Sequence, residues 1–96
     1  MLNQVVTVGR IKNFQELEDK TIVTIAVPRS YENSEGKHDE DFIDAILSGN
    51  IAKNTTEYCG IGDIIGIKGK LAKLSVDNAM SLVAEKVTFL SRKKED

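Results

Sequence analysis

The chain has 96 residues, of which 41% are hydrophobic and 29% charged, and its formal net charge is −2. This length accommodates one small domain with a thin core, because small folds bury a smaller fraction of their surface. A single cysteine, Cys59, and a single histidine, His38, exclude an internal disulfide and a zinc cluster of Cys and His ligands. The longest apolar runs are pairs and triplets such as Ile64-Ile65, and the N-terminus lacks a secretory signal pattern, so we expect a cytoplasmic protein without a membrane partner.

The first half of the chain predicts two strands and a hairpin. Residues 3–12 are rich in β-branched side chains, which favours a strand, and Gly9 is expected to form a β-bulge in it. Apolar and polar residues alternate from Thr21 to Tyr31, which indicates a second, half-buried strand. Pro28 lacks a backbone N–H, so this strand must reach an edge, a bulge or the end of its pairing there. The polar segment 32–38 predicts a hairpin loop.

A third strand and a short helix follow. The strand is predicted over 41–49, with Ile43, Ala45 and Leu47 facing the core and Phe42, Asp44, Ile46 and Ser48 on the other side. Asn50 is expected to cap a helix over 51–59, which Gly60 would end.

The remaining residues predict two more strands. The fourth covers 64–74, where Lys68 and Lys70 point to one side, and a turn at 76–79 leads to the fifth over 80–90. We expect Val83, Val87 and Phe89 to share one face of the fifth strand.

The order of these elements predicts the fold class. Three strands, a short helix and two strands are typical of the OB-fold, an all-β, five-stranded Greek-key barrel with one α-helix between strands 3 and 4. Residues 1–91 would form this domain and residues 92–96 a short charged C-terminal end. OB-folds bind oligonucleotides or oligosaccharides, so the fold alone leaves the function open.

The net negative charge conceals an uneven distribution. Six acids and one base lie between Glu32 and Asp44, and the rest of the chain carries a net charge of +3 from twelve bases and nine acids. A basic stripe on one face is therefore compatible with the composition. The clustered carboxylates are expected to be solvated rather than to bind a metal, since loop and strand positions let solvent relieve their repulsion.

Short segments resemble a known family in their order along the chain. The segments are MLNQVV, VGRI, IAV, RSY, DFI, AKN, EY, IKGKL, VAEKV and FL. No single segment is diagnostic, but the ordered set resembles the bacterial single-stranded DNA-binding protein family from Met1 to about Ser91. The resemblance implies non-sequence-specific binding and protection of single-stranded DNA in replication, recombination or repair, without catalysis, a cofactor or a metal.

The family binds by stacking bases on aromatic rings and neutralising phosphates with basic side chains. It usually offers aromatics at four positions, of which Tyr31 and Phe42 are kept, while Ser48 and Val76 occupy the other two. We therefore expect weaker binding than is usual in the family. The expected phosphate-contacting residues are Arg29, Lys68, Lys70, Lys73, Arg10 and Lys12. Phe14, Tyr58 and Phe89 are expected to pack instead.

The resemblance also implies a homo-oligomer that pairs through strand one, with a tetramer favoured and a dimer as the alternative. The sequence ends at Asp96 without the family's acidic tail, so recruitment of replication proteins stays an open expectation. A second hypothesis is a primosomal-type OB-fold module that mainly docks replication proteins and binds nucleic acid weakly. Ser48, Val76 and the acidic strip from Glu32 to Asp44 favour this alternative.

Overall fold

The computed structural model describes residues 1–73 and 80–91. Its elements are β1 (Val5–Glu16), β2 (Thr21–Glu32), β3 (His38–Leu47), α1 (Gly49–Tyr58), β4 (Ile64–Lys73) and β5 (Met80–Ser91). The strands form a closed barrel in the order β1-β2-β3-β5-β4. β3 and β5 are parallel, whereas the other neighbouring strands are antiparallel. The predicted OB barrel is thus confirmed; the predicted turn at 76–79, Leu74 and residues 92–96 lie outside the described residues.

The core fills the inside of this barrel with aliphatic side chains from every strand. It consists of Ile11, Val23, Ile25, Ala45, Leu47, Ile65, Ile67, Leu82 and Ala84. The alternation predicted for the third strand is confirmed, because Ala45 and Leu47 are buried and Ile43 packs against the cluster. Phe14 and Cys59 also pack against it, in agreement with the expected packing role.

The bulge predicted in the first strand is misplaced. Gly9 pairs regularly with Ile65, and the register shift lies between Ile11 and Asn13, which makes Lys12 the extra residue. Gly9 is needed for a different reason: a Cβ there would lie 2.7 Å from the carbonyl oxygen of Ala26. β1 also continues to Glu16, beyond the predicted end at residue 12, and leads to β2 through a turn in which Leu17 N donates a hydrogen bond to Lys20 O.

The face predicted for the fifth strand holds for Val87 and Phe89, which pair with Ile67 and Ile65, and is wrong for Val83, for a related reason. Val87 pairs with Ile67 toward the core, whereas Val83 pairs with Lys70 on the outer surface. A register shift between these pairs leaves Glu85 as an extra residue on β5. One extra residue reverses the side on which the following side chains point, so a simple alternation could not hold across it.

The other element boundaries differ by a few residues. The predicted helix cap is wrong, because Ser48 rather than Asn50 is the N-cap and Gly49, with φ 56°, begins the helix. At Pro28 the bulge alternative is confirmed by a register shift between Pro28 and Glu32. The predicted hairpin loop is present, and Asn33 closes it by accepting a hydrogen bond from the Lys37 backbone N–H. No helix in the described part of the chain is long and apolar enough to cross a membrane.

Candidate nucleic-acid interface

Phe42 lies at the centre of the outer surface of β1, β2 and β3. In antiparallel strands directly paired residues share a face, and the register places Arg10, Ala26 and Phe42 in one row across these strands. Ala26 is only 1% exposed between its larger neighbours, whereas Phe42 is 66% exposed. We name this surface the Phe42 face, and its residues are Arg10, Asn13, Thr24, Ala26, Pro28, Glu40, Phe42 and Asp44, with Lys12 at the bulge next to Asn13.

A shallow depression adjoins the ring on the β1 side of this face. It has a volume of about 250 Å³ and is lined by Val8, Gly9, Arg10, Ala26, Pro28 and Ile64. Its apolar floor and the neighbouring ring provide a continuous surface on which a flat base and its sugar can lie.

The two basic side chains of the Phe42 face differ in whether a contact within the protein holds them. Arg10 donates a hydrogen bond of 2.6 Å from Nη1 to the carbonyl oxygen of Gly62, which ties its side chain to the loop before β4. Lys12 is exposed on the bulge of β1, and within the described residues the structure gives it no ion-pair partner. Lys12 is therefore the more available of the two for a phosphate.

Tyr31 and Arg29 lie near the far end of β2, where the hairpin to β3 begins. Tyr31 is 62% exposed, and its hydroxyl oxygen accepts a long hydrogen bond of 3.4 Å from Arg29. Arg29 also makes a two-point contact with Asp41, in which Nη2 and Nε lie 3.0 and 3.2 Å from the carboxylate oxygens. The hydrogen bonds from Arg29 lower the pKa of Asp41, and the carboxylate in turn raises the pKa of Arg29.

The lysines of the fourth strand lie elsewhere on the barrel. Lys68, Lys70 and Lys73 are exposed on β4, which borders β1 and β5 and is not adjacent to β2 or β3. Lys68 lies directly opposite Lys86 of β5. The structure thus brings Phe42, Arg10 and Lys12 together and places Tyr31 with Arg29 at the end of the same hairpin, whereas it does not bring the β4 lysines to them.

The other two positions at which the family usually has an aromatic residue are Ser48 and Val76. Ser48, at one of the positions where the family usually has an aromatic, is the exposed N-cap of α1 and makes no side-chain capping hydrogen bond. Val76, at another, lies outside the described residues. Within the described residues no three or more His, Cys, Asp or Glu side chains are grouped so that they could hold a metal ion.

A second pair of aromatic rings was expected to be packed and is only partly so. Tyr58 of α1 and Phe89 of β5 have ring centroids 6.3 Å apart, and both rings are about half exposed. They line a cleft of about 280 Å³ between α1 and β5. The sequence could not indicate this cleft, because α1 and the second half of β5 are distant in the chain.

The polar pair of Thr24 and Asp44 on the Phe42 face was not singled out from the sequence. Thr24 Oγ1 donates a hydrogen bond of 2.6 Å to Asp44 Oδ1 across the strands. Alternation placed Phe42 and Asp44 on one side of the third strand, but the partner of Asp44 depends on the register of β2 against β3, which alternation does not define.

Comparisons with known proteins give one consistent result. No protein-family model matches the chain. It is 29% identical to single-stranded DNA-binding protein B of Bacillus subtilis, over 100% of this chain and 96% of that protein. It is 31% identical to single-stranded DNA-binding protein 2 of Staphylococcus aureus, over 100% of this chain and 78% of that protein.

Solved structures share the fold at lower sequence identity. A mitochondrial single-stranded DNA-binding protein of Saccharomyces cerevisiae superposes with a TM-score of 0.75 at 22% identity, over 99% of this chain and 100% of that chain. A small single-stranded DNA-binding protein of Mycoplasma pneumoniae gives a TM-score of 0.68 at 24% identity, over 100% of both chains.

Proposed function

The chain belongs to the single-stranded DNA-binding protein family, and on this premise we propose that it binds unpaired DNA irrespective of base sequence. The binding needs no chemistry: bases stack on exposed rings, and basic side chains neutralise phosphates. In the cell this activity would protect single strands during replication, recombination or repair, in the cytoplasm.

The observation that carries this proposal is the exposed aromatic ring of Phe42 in the middle of an open sheet surface. A single exposed apolar side chain is ordinary on a protein surface. What supports a ligand surface here is the combination of this 66% exposed ring with the neighbouring depression and the basic side chains of β1. Lys12 and Arg10 border this surface on β1. Tyr31 lies at the end of the hairpin between β2 and β3 and is linked through Arg29 to Asp41. Asp41 precedes Phe42 in β3 and so lies on the other side of that strand.

The basic residues take part unequally in the proposed interface. Lys12 is available for a phosphate, whereas Arg29 must first exchange its contact with Asp41 for one with the DNA. A DNA strand reaches the β4 lysines only if it continues around the barrel past β1 or β5. These lysines are Lys68, Lys70 and Lys73. We therefore propose a primary path over the Phe42 face and an extension over β4.

The test is a titration of the full chain with fluorescently labelled oligo-dT at low and at high salt. We expect binding at low salt that weakens as salt increases, because neutralised phosphates release condensed counterions. Absence of binding at low salt would overturn the proposed function.

We also propose that the chain forms a homo-oligomer through the first half of β1, before Arg10 and Lys12, as a tetramer or a dimer. Val6 and Val8 are exposed there, and the Val8 and Leu90 side chains approach each other above Gly66. Such an apolar surface would be shielded from water by a second copy. Light scattering should give a mass above that of the monomer, and Val6→Lys should reduce it, since that side chain is 70% exposed and plays little part in the monomer's core.

The alternative, a primosomal-type module that mainly docks replication proteins, is not favoured, because the relatives are named for binding single-stranded DNA. The curated relatives are binding proteins, and we propose the same for this chain, with no enzymatic activity of its own. Contacts with replication proteins remain part of the proposal and can be tested with the oligo-dT complex as bait.

A further inference from the structure

The Phe42 face carries a carboxylate that the protein holds in place. Asp44 follows Phe42 by two residues on β3, on the same outer side of the strand. Thr24 Oγ1 donates a hydrogen bond of 2.6 Å to Asp44 Oδ1, while within the described residues Oδ2 accepts no hydrogen bond and Asp44 has no cationic partner. One oxygen is oriented and the other is available to a ligand.

The distance between the two side chains suits a base that stacks on the ring. Residues two apart on a strand are separated by roughly 6.6 Å. A base centred over Phe42 therefore brings the groups at its rim within hydrogen-bond reach of the Asp44 carboxylate. Because a carboxylate can only accept hydrogen bonds, it interacts favourably with an amino group and unfavourably with a carbonyl oxygen.

We propose that Asp44 is a base-selecting residue, which favours bases with an exocyclic amino group over bases with a carbonyl group at the same rim position. Cytosine presents an amino donor at position 4, where thymine and uracil present a carbonyl acceptor. The inference rests on the proposed function, since it requires single-stranded DNA to stack on Phe42. The protein would still bind any base sequence, but with higher affinity for bases that carry the amino group.

Glu40 provides a natural contrast on the same face. It lies two residues before Phe42, pairs with Pro28, and carries the same charge. Within the part of the chain that the structure describes, no side chain orients it. Glu40 should therefore repel phosphates without discriminating between bases, and it serves as the matched control.

The experiment compares two oligonucleotides that differ at the rim of each base. Labelled oligo-dC and oligo-dU of about 12 nucleotides, within the range that one OB-fold covers, are titrated with the full chain by fluorescence anisotropy. Neither base carries the thymine methyl group, so the two bases differ only in the amino or carbonyl group at position 4 and in the acceptor nitrogen or N–H donor at position 3. A carboxylate that met position 3 instead of position 4 would favour oligo-dU, so a preference for oligo-dU would overturn the inference. We expect oligo-dC to bind about fivefold more tightly, the lower end of what a good base contact provides.

Three variants assign the cause of this preference. Asp44→Asn, whose amide can both donate and accept, should bring the ratio of the two Kd values close to one. Thr24→Val keeps the charge but removes the orienting hydrogen bond, and it should give an intermediate ratio. Glu40→Gln should tighten binding of both oligonucleotides and leave their ratio unchanged. Thermal unfolding of each variant checks that the barrel is intact.

The outcomes separate this inference from the function on which it rests. An oligo-dC preference that Asp44→Asn removes supports the inference. Binding of both oligonucleotides with equal affinity, or a preference that Asp44→Asn leaves unchanged, overturns it and leaves the proposed function standing. If neither oligonucleotide binds, the proposed function is overturned and the inference with it.

Discussion

At the scale of single residues, its position on the Phe42 face distinguishes Phe42 from the rings at the α1 cleft. It is 66% exposed on the Phe42 face, whereas Tyr58, at 54%, leans against Phe89 at the α1 cleft. Phe42→Ala should weaken oligo-dT binding by about 1–3 kcal/mol, the usual value of one stacked base. Tyr58→Ala is the control and should leave the Kd unchanged. Equal losses in both variants would show that general destabilisation, not stacking, explains the effect.

The ion pair of Arg29 and Asp41 makes a prediction about pH. Hydrogen bonds from Arg29 hold the pKa of Asp41 below its ordinary value. Since the folded pKa is lowered, the contact is intact above the pKa of an unfolded aspartate and is lost as the pH falls through the folded value. We expect Arg29→Gln to raise the pKa of Asp41 to its ordinary range, as measured by NMR titration of the side-chain carboxyl carbon. An unchanged Asp41 titration in this variant would contradict the assigned cause.

At the scale of the elements, the bulge in β5 depends on a close approach at Gly69. A Cβ at Gly69 would overlap the Val83 carbonyl oxygen, so backbone would have to move, whereas a Cβ at Gly60 meets nothing within 4 Å. Gly69→Ala should reduce the free energy of unfolding by about 1–3 kcal/mol, as overpacking typically does. Gly60→Ala should leave the stability within about 0.5 kcal/mol of the original, typical of a surface change. Urea unfolding measures both; similar midpoints would contradict the proposed crowding at Gly69.

The strands and the helix themselves were predictable, but of their interruptions only the bulge after Pro28 was among the predicted alternatives. Alternation correctly placed Ala45 and Leu47 inside the barrel, because a strand with one buried face must repeat every second residue. The bulges at Lys12 and Glu85 were missed, since an extra residue is defined by the partner strand. The same limit applies to the site, where Phe42 was identified but its cross-strand neighbours were not.

At the scale of the whole molecule, the two basic groups should depend differently on DNA length. Lys12 lies on the Phe42 face, on the β1 side of it, whereas Lys68 and Lys70 lie around the barrel on β4. Lys12→Gln should weaken binding of an oligo-dT of about 6 nucleotides, a length within the range that one OB-fold covers. It should also reduce the slope of log K against log salt concentration by about 0.7, the value for one lost phosphate contact on a single strand.

The double variant Lys68→Gln and Lys70→Gln should leave the affinity for that short oligonucleotide unchanged and reduce only the affinity for longer ones. Affinities measured against salt for both lengths test this difference. Loss of short-oligonucleotide binding in the double variant would mean that the primary path crosses β4. Lys53→Gln, on α1, changes an exposed charge away from both groups and serves as the control.

The sequence by itself determined the element order, the barrel and the identity of the exposed ring at Phe42, because local periodicity and turn chemistry specify which residues form strands and which face is apolar. Only the tertiary structure decided which side chains meet. It placed the lysines of β4 away from the aromatic face, tied Arg29 to Asp41 and Asp44 to Thr24, and set the bulges. The physical reason is that these contacts depend on strand register and barrel closure, which arise between segments distant in the chain.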